Sequence, residues 1–561
     1  MKSVSLVLLL LAAAAVAGVS LSGAGKALFA EAAVYEHEIP ASTRQAVQNR
    51  GFINVDGADL RSRLDAAIRQ GRSRSPQSRF WAAYTFDVRP GLGIDVLIVS
   101  GSGSHVVLNG VVTGSSNKYE TRNVGVFLLY ERDGGSIVRA ELYNLERTRE
   151  YSGYPVFWLG RGGNEESLGL LMKLIKSTTD RRVAENLTEA VGVHDDPAVE
   201  GMLKEILRSS SFIEARETAV SWIGHFPGNI PFLSAIVRDE REHLVVREEA
   251  VEAIGQSEEA AALPALESLF SSLSDRELRK EIVEAAAHNR DEAASTGFLI
   301  KVAESEPDGD VRKEAVESLG QKKDRRSFQT LEKIASDPKA DSETQRAAVE
   351  SLGVREEGES LPVIMKIIKT HPRMEVRREA IEVLNRMPGQ IALLEEMALD
   401  EKENPELRKE AIQALGESQS QDAVRRLEKL YSSIADRMLK REVIDAIEDS
   451  HDKAAAIDLL IKIARTERDR EARARAISVL GEVNEDRAAD SLFELYSAER
   501  DEEMKEEVLE ALGESGSKRS LHKLIEVARN DPSPRLRKKA VLLIGERDDP
   551  EAVKFLEGIV K

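Results

Sequence analysis

The chain of 561 residues contains no cysteine. That absence removes disulfides, thiolate metal ligands, thiol nucleophiles and any lipid-bearing cysteine together. Positive charge is also in deficit: 79 lysines and arginines face 98 aspartates and glutamates, for a net charge of -19. A phosphate-binding surface requires the opposite sign, so nucleic acid is not an expected partner. Aromatic residues reach only 5%, and HExxH, GxSxG and P-loop motifs do not occur. The nine histidines are scattered. The one compact cluster, His194-Asp195-Asp196, has no second histidine at ligand spacing and reads as a loop cap. No catalytic residue, metal or cofactor is expected.

Long apolar runs are missing as well, with one exception. Residues 1–32 carry a positive start at Lys2, an apolar run from Val4 to about Val19 and small residues beyond, the build of a secretory signal. Cleavage after Ala24 or after Ala32 fits equally. The alternative is an uncleaved anchor, because no charge falls between Lys2 and Lys26. Either way the expected address is exported, periplasmic or cell-surface/secreted, with membrane contact only through this segment.

Residues 33–163 change character and read as a small β-rich, α+β domain. A short helix, Leu60 to Gln70, precedes RFWAAYTFDV, where Phe80, Ala82, Tyr84, Phe86 and Val88 alternate onto one face. IDVLIV and HVVLNGVV form a further expected strand pair, joined by a plain connection at Gly101 to Ser104 that lacks the lysine and helix of a phosphate loop. The clearest hairpin turns at Asp133-Gly134-Gly135, with Val138, Ala140 and Leu142 inward and Arg139 and Glu141 in water. The aromatic stretch Arg149 to Gly160 suits core packing and docking against the array. Its Tyr151, Tyr154 and Trp158 are also a weak candidate for stacking on a glycan or peptide. Asn164 is placed to cap the helix that follows, with Glu165 and Glu166 in its first turn.

From residue 164 to 561 one unit recurs. VRKEAVESLG, Val311 to Gly320, returns about every 32 residues, as in LRKEAIQALG ending at Gly416 and LRKKAVLLIG ending at Gly545. Weaker copies end at Gly192 and Gly224, and about a dozen units result, the signature of a solenoid. Each pairs an A helix, such as SFQTLEKIA, with a B helix whose Val311, Ala315 and Leu319 lie i, i+4, i+8 in one row. The middle position is small in most copies, and the closing glycine suits a left-handed helix end. Pro264 and Pro362 are placed at A-helix starts. Two polar columns run down the B helices. The first is basic: Arg247, Arg279, Arg312, Arg377, Arg408, Arg473 and Arg537. The second, five residues on, is acidic: Glu252, Glu284, Glu317, Glu350 and Glu382, with Asp445 and Glu510. Lys280–Glu284, Lys313–Glu317 and Arg378–Glu382 are spaced for i, i+4 pairs.

The alanine, the arginine after the first apolar residue and the closing Leu-Gly together resemble HEAT repeats, in the short form also seen in phycobilisome lyases. That resemblance covers about Glu165 to Lys561, and the N-terminal segment looks similar to what precedes the repeats in exported bacterial HEAT-repeat proteins. The resemblance implies a mainly α, right-handed solenoid with B helices on its concave side, and protein binding as the task. It also implies that the arginines and the aspartates before them, such as Asp308 and Asp469, form a ladder between repeats. The alternative is that the arginines recognise an anion or carboxylate, and that the two columns form a mixed-charge groove for a basic or extended partner. The expected function is thus an exported non-enzymatic scaffold for a protein or peptide. The alternatives are a lyase-like or chaperone-like enzyme and a glycan-binding N-terminal module.

Overall fold

The structure, a computed structural model, describes residues 51–74, 79–94, 111–113, 121, 123–146, 151–355, 357–483 and 485–560. The signal-like stretch, the Gly101–Ser104 connection and Arg149 lie outside them. Two compact units form, Met1–Asp291 and Glu292–Lys561. The boundary between these two units falls inside the repeats. The β-rich segment joins the first repeats for a reason visible in its packing.

That segment contains β1 (Ile53–Asn54), α1 (Leu60–Arg74), β2 (Phe80–Thr85), β3 (Leu92–Ile94), β4 (Val111–Thr113), β5 (Val124–Tyr130), β6 (Ile137–Asn144) and β7 (Val156–Arg161). Five strands make a sheet in the order β1-β7-β2-β5-β6, while β3 and β4 pair separately. β2, β5 and β6 run antiparallel, and β7 is parallel to both β1 and β2. The expected hairpin closes through Gly134 at φ 66°, and Gly135 keeps an ordinary φ. One-sided alternation does not hold. β2 is buried on both faces, with Trp81 and Ala83 as enclosed as Phe80, Ala82 and Tyr84, because each face has a cover. On one side Trp81, Phe127, Leu129, Tyr143 and Val156 form a core closed by Phe52, Tyr151, Tyr154 and Trp158. On the other, α1 crosses β2 and β7 and the array's second helix packs on β6. Asn186 of that helix donates to the Ala140 carbonyl at 2.8 Å.

The array's first pair, α2 (Asn164–Ser177) and α3 (Arg181–Gly192), is stitched to the sheet by backbone. Beyond β2 the chain runs beside the loop after α3: Val88 bridges His194, Asp195 N–H donates to Asp87 O at 3.0 Å, and Arg89 N–H donates to Val193 O at 3.0 Å. Asn164 does not cap α2. Gly163 stands at the cap, and the Asn164 amide accepts from Asp87 N–H and donates to Asp195 O at 2.8 Å. His194 is no loop cap either. It is 2% exposed, stacked on Phe86 at 3.9 Å, with Nδ1–H on the Ala190 carbonyl at 2.6 Å and Nε2 at 2.8 Å from Ser167 Oγ. Ser167 in turn meets the buried Tyr84 hydroxyl at 2.9 Å. Burial, partly offset by the Ala190 bond, pushes the His194 imidazole down to about 4.

Among the described residues, four helix pairs of the array lie in the first unit and eight in the second, followed by the helix Pro550–Val560. Val311, Ala315 and Leu319 are fully buried, as the row predicts. The closing glycines do something different from the expectation. None of them has a positive φ; they are helical. A Cβ on Gly224, Gly255 or Gly320 would come within 2.8 Å of Ala253, Ala285 or Ser351 on the next B helix. Glycine is therefore required by the close approach of successive B helices, not by a left-handed turn. Pro264 is the third residue of Ala262–Ser272, but Pro362 lies inside Glu357–Thr370, where the first-turn argument does not reach.

Candidate functional site

Most B helices begin with a short polar residue whose oxygen accepts free N–H groups of the first turn; those that follow Phe212, His243 and Arg373 have no such cap. Asp275 accepts from Leu278 N–H, Asp308 from Asp310 and Val311, Asp436 from Leu439 and Asp469 from Glu471 and Ala472. Asp531 leaves this task to Ser533. The expected aspartate partners of the arginine ladder are thus caps first.

The arginine one turn on reaches the C-terminal end of its own A helix, where carbonyls lack intrahelical donors. Arg247 Nε donates to Val237 O at 2.9 Å, Arg408 Nε to Ala398 O at 3.0 Å and Arg473 Nε to Ala464 O at 3.1 Å. Arg377 does the same to Ile368 O, and Arg537 Nη1 donates to Asp531 O at 2.7 Å. Arg279 lies over the Phe270 ring at 4.3 Å, as Lys440 and Lys505 lie over Tyr431 and Tyr496. True links to the following repeat include Arg312 to Asp341, Arg377 to Glu403 at 2.8 Å and Arg473 to Glu499. Burial raises the Asp341 carboxyl, but Thr344 and Arg312 outweigh it and hold it down at about 2.

The acidic column behaves oppositely. Glu252, Glu284, Glu317, Glu350 and Glu382 all stand exposed on the B helices. Of the three expected i, i+4 pairs only Lys313–Glu317 forms, at 3.6 Å. Lys280 turns to Glu277, and Arg378 reaches Glu406 and Glu410 on the next B helix at 3.6 Å each. Glu350 meets Arg386 at 3.8 Å. In the first unit the face gathers Glu185, Glu217, Glu248, Glu249 and Glu252. Burial, with Glu252 and Glu217 beside it, pushes Glu249 up to about 7 despite a bond from Ser221. Burial and four neighbouring glutamates raise Glu217 too. Charge repulsion is left standing there.

Sequence reasoning missed two cross-repeat devices. Arg355 and Arg547, two residues past a closing glycine, reach back to cap the preceding B helix: Arg355 on Leu319 O and Lys322 O, Arg547 on Leu512 O at 2.6 Å and Gly513 O at 3.2 Å. The spacing Gly-x-Arg was their only signal. A helices are also joined, as by Lys333–Glu304 at 2.7 Å and Lys462–Glu428 at 2.6 Å; exposed pairs of this kind contribute little each.

Tyr151, Tyr154 and Trp158 are each half-buried. Tyr151 stacks on Phe127 at 5.3 Å and Trp158 tilts against Phe52 at 5.7 Å, on the sheet face away from the array. Their packing partners are thus the sheet core and not the first repeat. Among the described residues no group of three His, Asp or Glu could hold a metal ion, and no helix is long and apolar enough to cross a membrane.

A family model described as HEAT repeats matches residues 199–287, 269–341, 296–385, 337–404, 391–481 and 457–532, more than half of the 561 residues. The first pair, α2 and α3, precedes these matches yet has the same build. No curated protein matches the sequence. Among solved structures, human deoxyhypusine hydroxylase is similar at 16% identity over 56% of this chain and 95% of its own, with a TM-score of 0.20. The CpcE–CpcF complex of phycocyanin lyase from Nostoc is similar at 22% identity over 42% of this chain and 96% of its own, TM-score 0.23. Kap121p is similar at 14% identity over 70% of this chain and 49% of its own, TM-score 0.36.

Proposed function

Because this chain belongs to the HEAT-repeat family, we propose that it is an exported, non-enzymatic scaffold whose B-helix face binds a basic or extended segment of a protein partner. The observation that carries this reading is the division of labour between the two charged columns. The arginines are turned inward to A-helix carbonyls, with Arg247 only 8% exposed, so little of their donor capacity is free for an anion. The carboxylates stand outside. Beside the column, half-buried Glu217 and Glu249 are raised first by burial and then by repulsion from neighbouring carboxylates, Glu252 among them. A lysine- or arginine-rich segment laid across them relieves that repulsion, and charge complementarity of this kind governs association rate and register. Export rests on the apolar N-terminal run alone.

The test is capture from the native compartment under mild crosslinking, comparing the parent with Glu217→Gln/Glu249→Gln/Glu252→Gln and with Arg312→Ala/Arg377→Ala. Circular dichroism of each comes first. Partners lost by the glutamine variant, while it melts like the parent, support the reading. Partners that persist in it place binding elsewhere and defeat this assignment of the face.

A further inference from the structure

The last helix pair departs from the pattern of the others in a way that the acidic-face reading does not use. In the seven earlier pairs of the second unit, the sixth B-helix residue, from Val316 and Val349 to Ile477 and Leu509, is fully buried. Its counterpart Val541 is half-exposed. The seventh residue is polar in all seven, Glu317 and Glu510 among them, and in the last it is Leu542, 55% exposed. A position that is solvated and polar elsewhere in the array gains nothing from leucine in water. Val553 and Ile559 of the following helix, Pro550–Val560, are exposed as well.

Val541 and Ile559 line an open groove of about 1250 Å³ between Lys518–Asn530, Pro534–Gly545 and Pro550–Val560, and Leu542 follows Val541 on the same helix. Ile525, Val541, Phe555 and Ile559 supply apolar lining; Arg529, Arg537, Lys538 and Lys554 outnumber Glu526 and Glu551. Glu551 already meets His522 at 3.1 Å, and Arg529 lies over the Phe555 ring. The groove is therefore cationic in a chain that is acidic overall.

The interior of the second unit shows what such a groove accepts. In several of its repeats the arginine equivalent to Arg537 receives a carboxylate from the turn just before the following B helix: Asp341 on Arg312, Glu403 on Arg377, Glu499 on Arg473. That amphipathic helix then covers the sixth residue. Arg537 donates to the Asp531 and Pro532 carbonyls and pairs with no carboxylate among the described residues. We propose that this groove docks an amphipathic helix of a partner protein, led by a carboxylate for Arg537 and laying its apolar face on Val541 and Leu542. Its preference for acidic residues is opposite to that of the B-helix face, so the two surfaces take different ligands.

The probe is a fluorescein-labelled, side-chain-stapled peptide copying residues 499–514 of this chain, which holds Glu499 and the acidic helix that follows. Fluorescence anisotropy against the full chain should show saturable binding. Leu542→Glu and Lys554→Glu should each weaken it tenfold or more. Leu542→Glu restores the residue type that other repeats carry, and Lys554 is exposed, so both variants should keep the parent's circular dichroism. A peptide with Glu499→Lys should bind at least fivefold more weakly to the parent. Absence of saturable binding, or binding that neither variant changes, overturns the proposal. So does sedimentation showing a dimer abolished by Leu542→Glu, which would make a second copy the occupant.

Discussion

Replacing one closing glycine by alanine should destabilise the array in its interior and stabilise it at its end. In Gly255→Ala the new methyl would sit 2.8 Å from the Ala285 Cβ and 3.0 Å from its carbonyl oxygen, against ordinary contacts near 3.5 Å or more. Both obstacles belong to a neighbouring helix that is itself packed, so relief means moving backbone. Overpacking of this kind costs about 1–3 kcal/mol. Alanine in a helix returns up to roughly 1 kcal/mol over glycine, and less at a helix end, so a net loss of about 1–2 kcal/mol is expected. At Gly545 the nearest atom is Leu556 Cδ1 at 3.9 Å, and the propensity gain stands alone at a few tenths to about 1 kcal/mol. Urea denaturation followed by circular dichroism gives the sign. Hydrogen exchange over Leu244–Ala287 locates it, as local readout is needed where repeats do not unfold as one. Equal effects at the two glycines, or a stabilised Gly255→Ala, would refute the close-approach account and revive the left-handed cap.

His194 is held neutral with its pKa near 4, below the ordinary 6.5, so the unfolded chain binds the extra proton first. Its contribution is complete above pH 6.5 and is lost as pH falls from there towards 4, by about 3 kcal/mol. His194→Phe should flatten that part of the stability curve relative to the parent, measured by denaturation at pH 7 and pH 4.5. Asp341→Ala removes a helix cap and the partner of Arg312 together, and should cost about 1–2 kcal/mol. Arg247→Ala deletes a buried, charge-assisted bond and should cost about 1.5–3 kcal/mol, whereas Glu252→Gln on the exposed face should stay within roughly 0.5 kcal/mol. Denaturation of the two variants side by side separates the columns, and a costly Glu252→Gln would contradict their assignment.

The repeat was legible because each B helix writes the same burial row, and Val311, Ala315 and Leu319 can satisfy it only by stacking. The glycines were legible as landmarks and misread as to cause. A left-handed end and a tight helix crossing both demand the loss of Cβ, and only the position of the next repeat's Ala285 or Ser351 tells them apart. The β-rich segment shows the same limit. Period-two alternation marks a strand with one wet face, and β2 obeys it in Phe80, Ala82 and Tyr84. Trp81 and Ala83 are buried by β7 and the aromatic tail after β6, elements distant in sequence. His194 looked like a loop residue because its burial comes from Phe86 and Ser167, which flank it only after folding.

The two columns show why a polar residue in a repeat cannot be assigned from its regularity. Arginine and glutamate recur with equal fidelity five positions apart, yet a helix turns 500° in five steps and so presents them about 140° apart. The arginine then points along the A-helix end, where unsatisfied carbonyls and a negative dipole hold it. The glutamate points out, where nothing in its own repeat needs it. Next to Glu252, the neighbouring Glu217 and Glu249, which lie outside the column, run against folding, since they are partly buried with like charges beside them. A column that stabilises each repeat is explained by the fold. A column that the fold does not need requires a different reason, and the exposed acidic face, for which we propose a partner, and the leucine-for-acid exchange at Leu542 are two places where such a reason is called for.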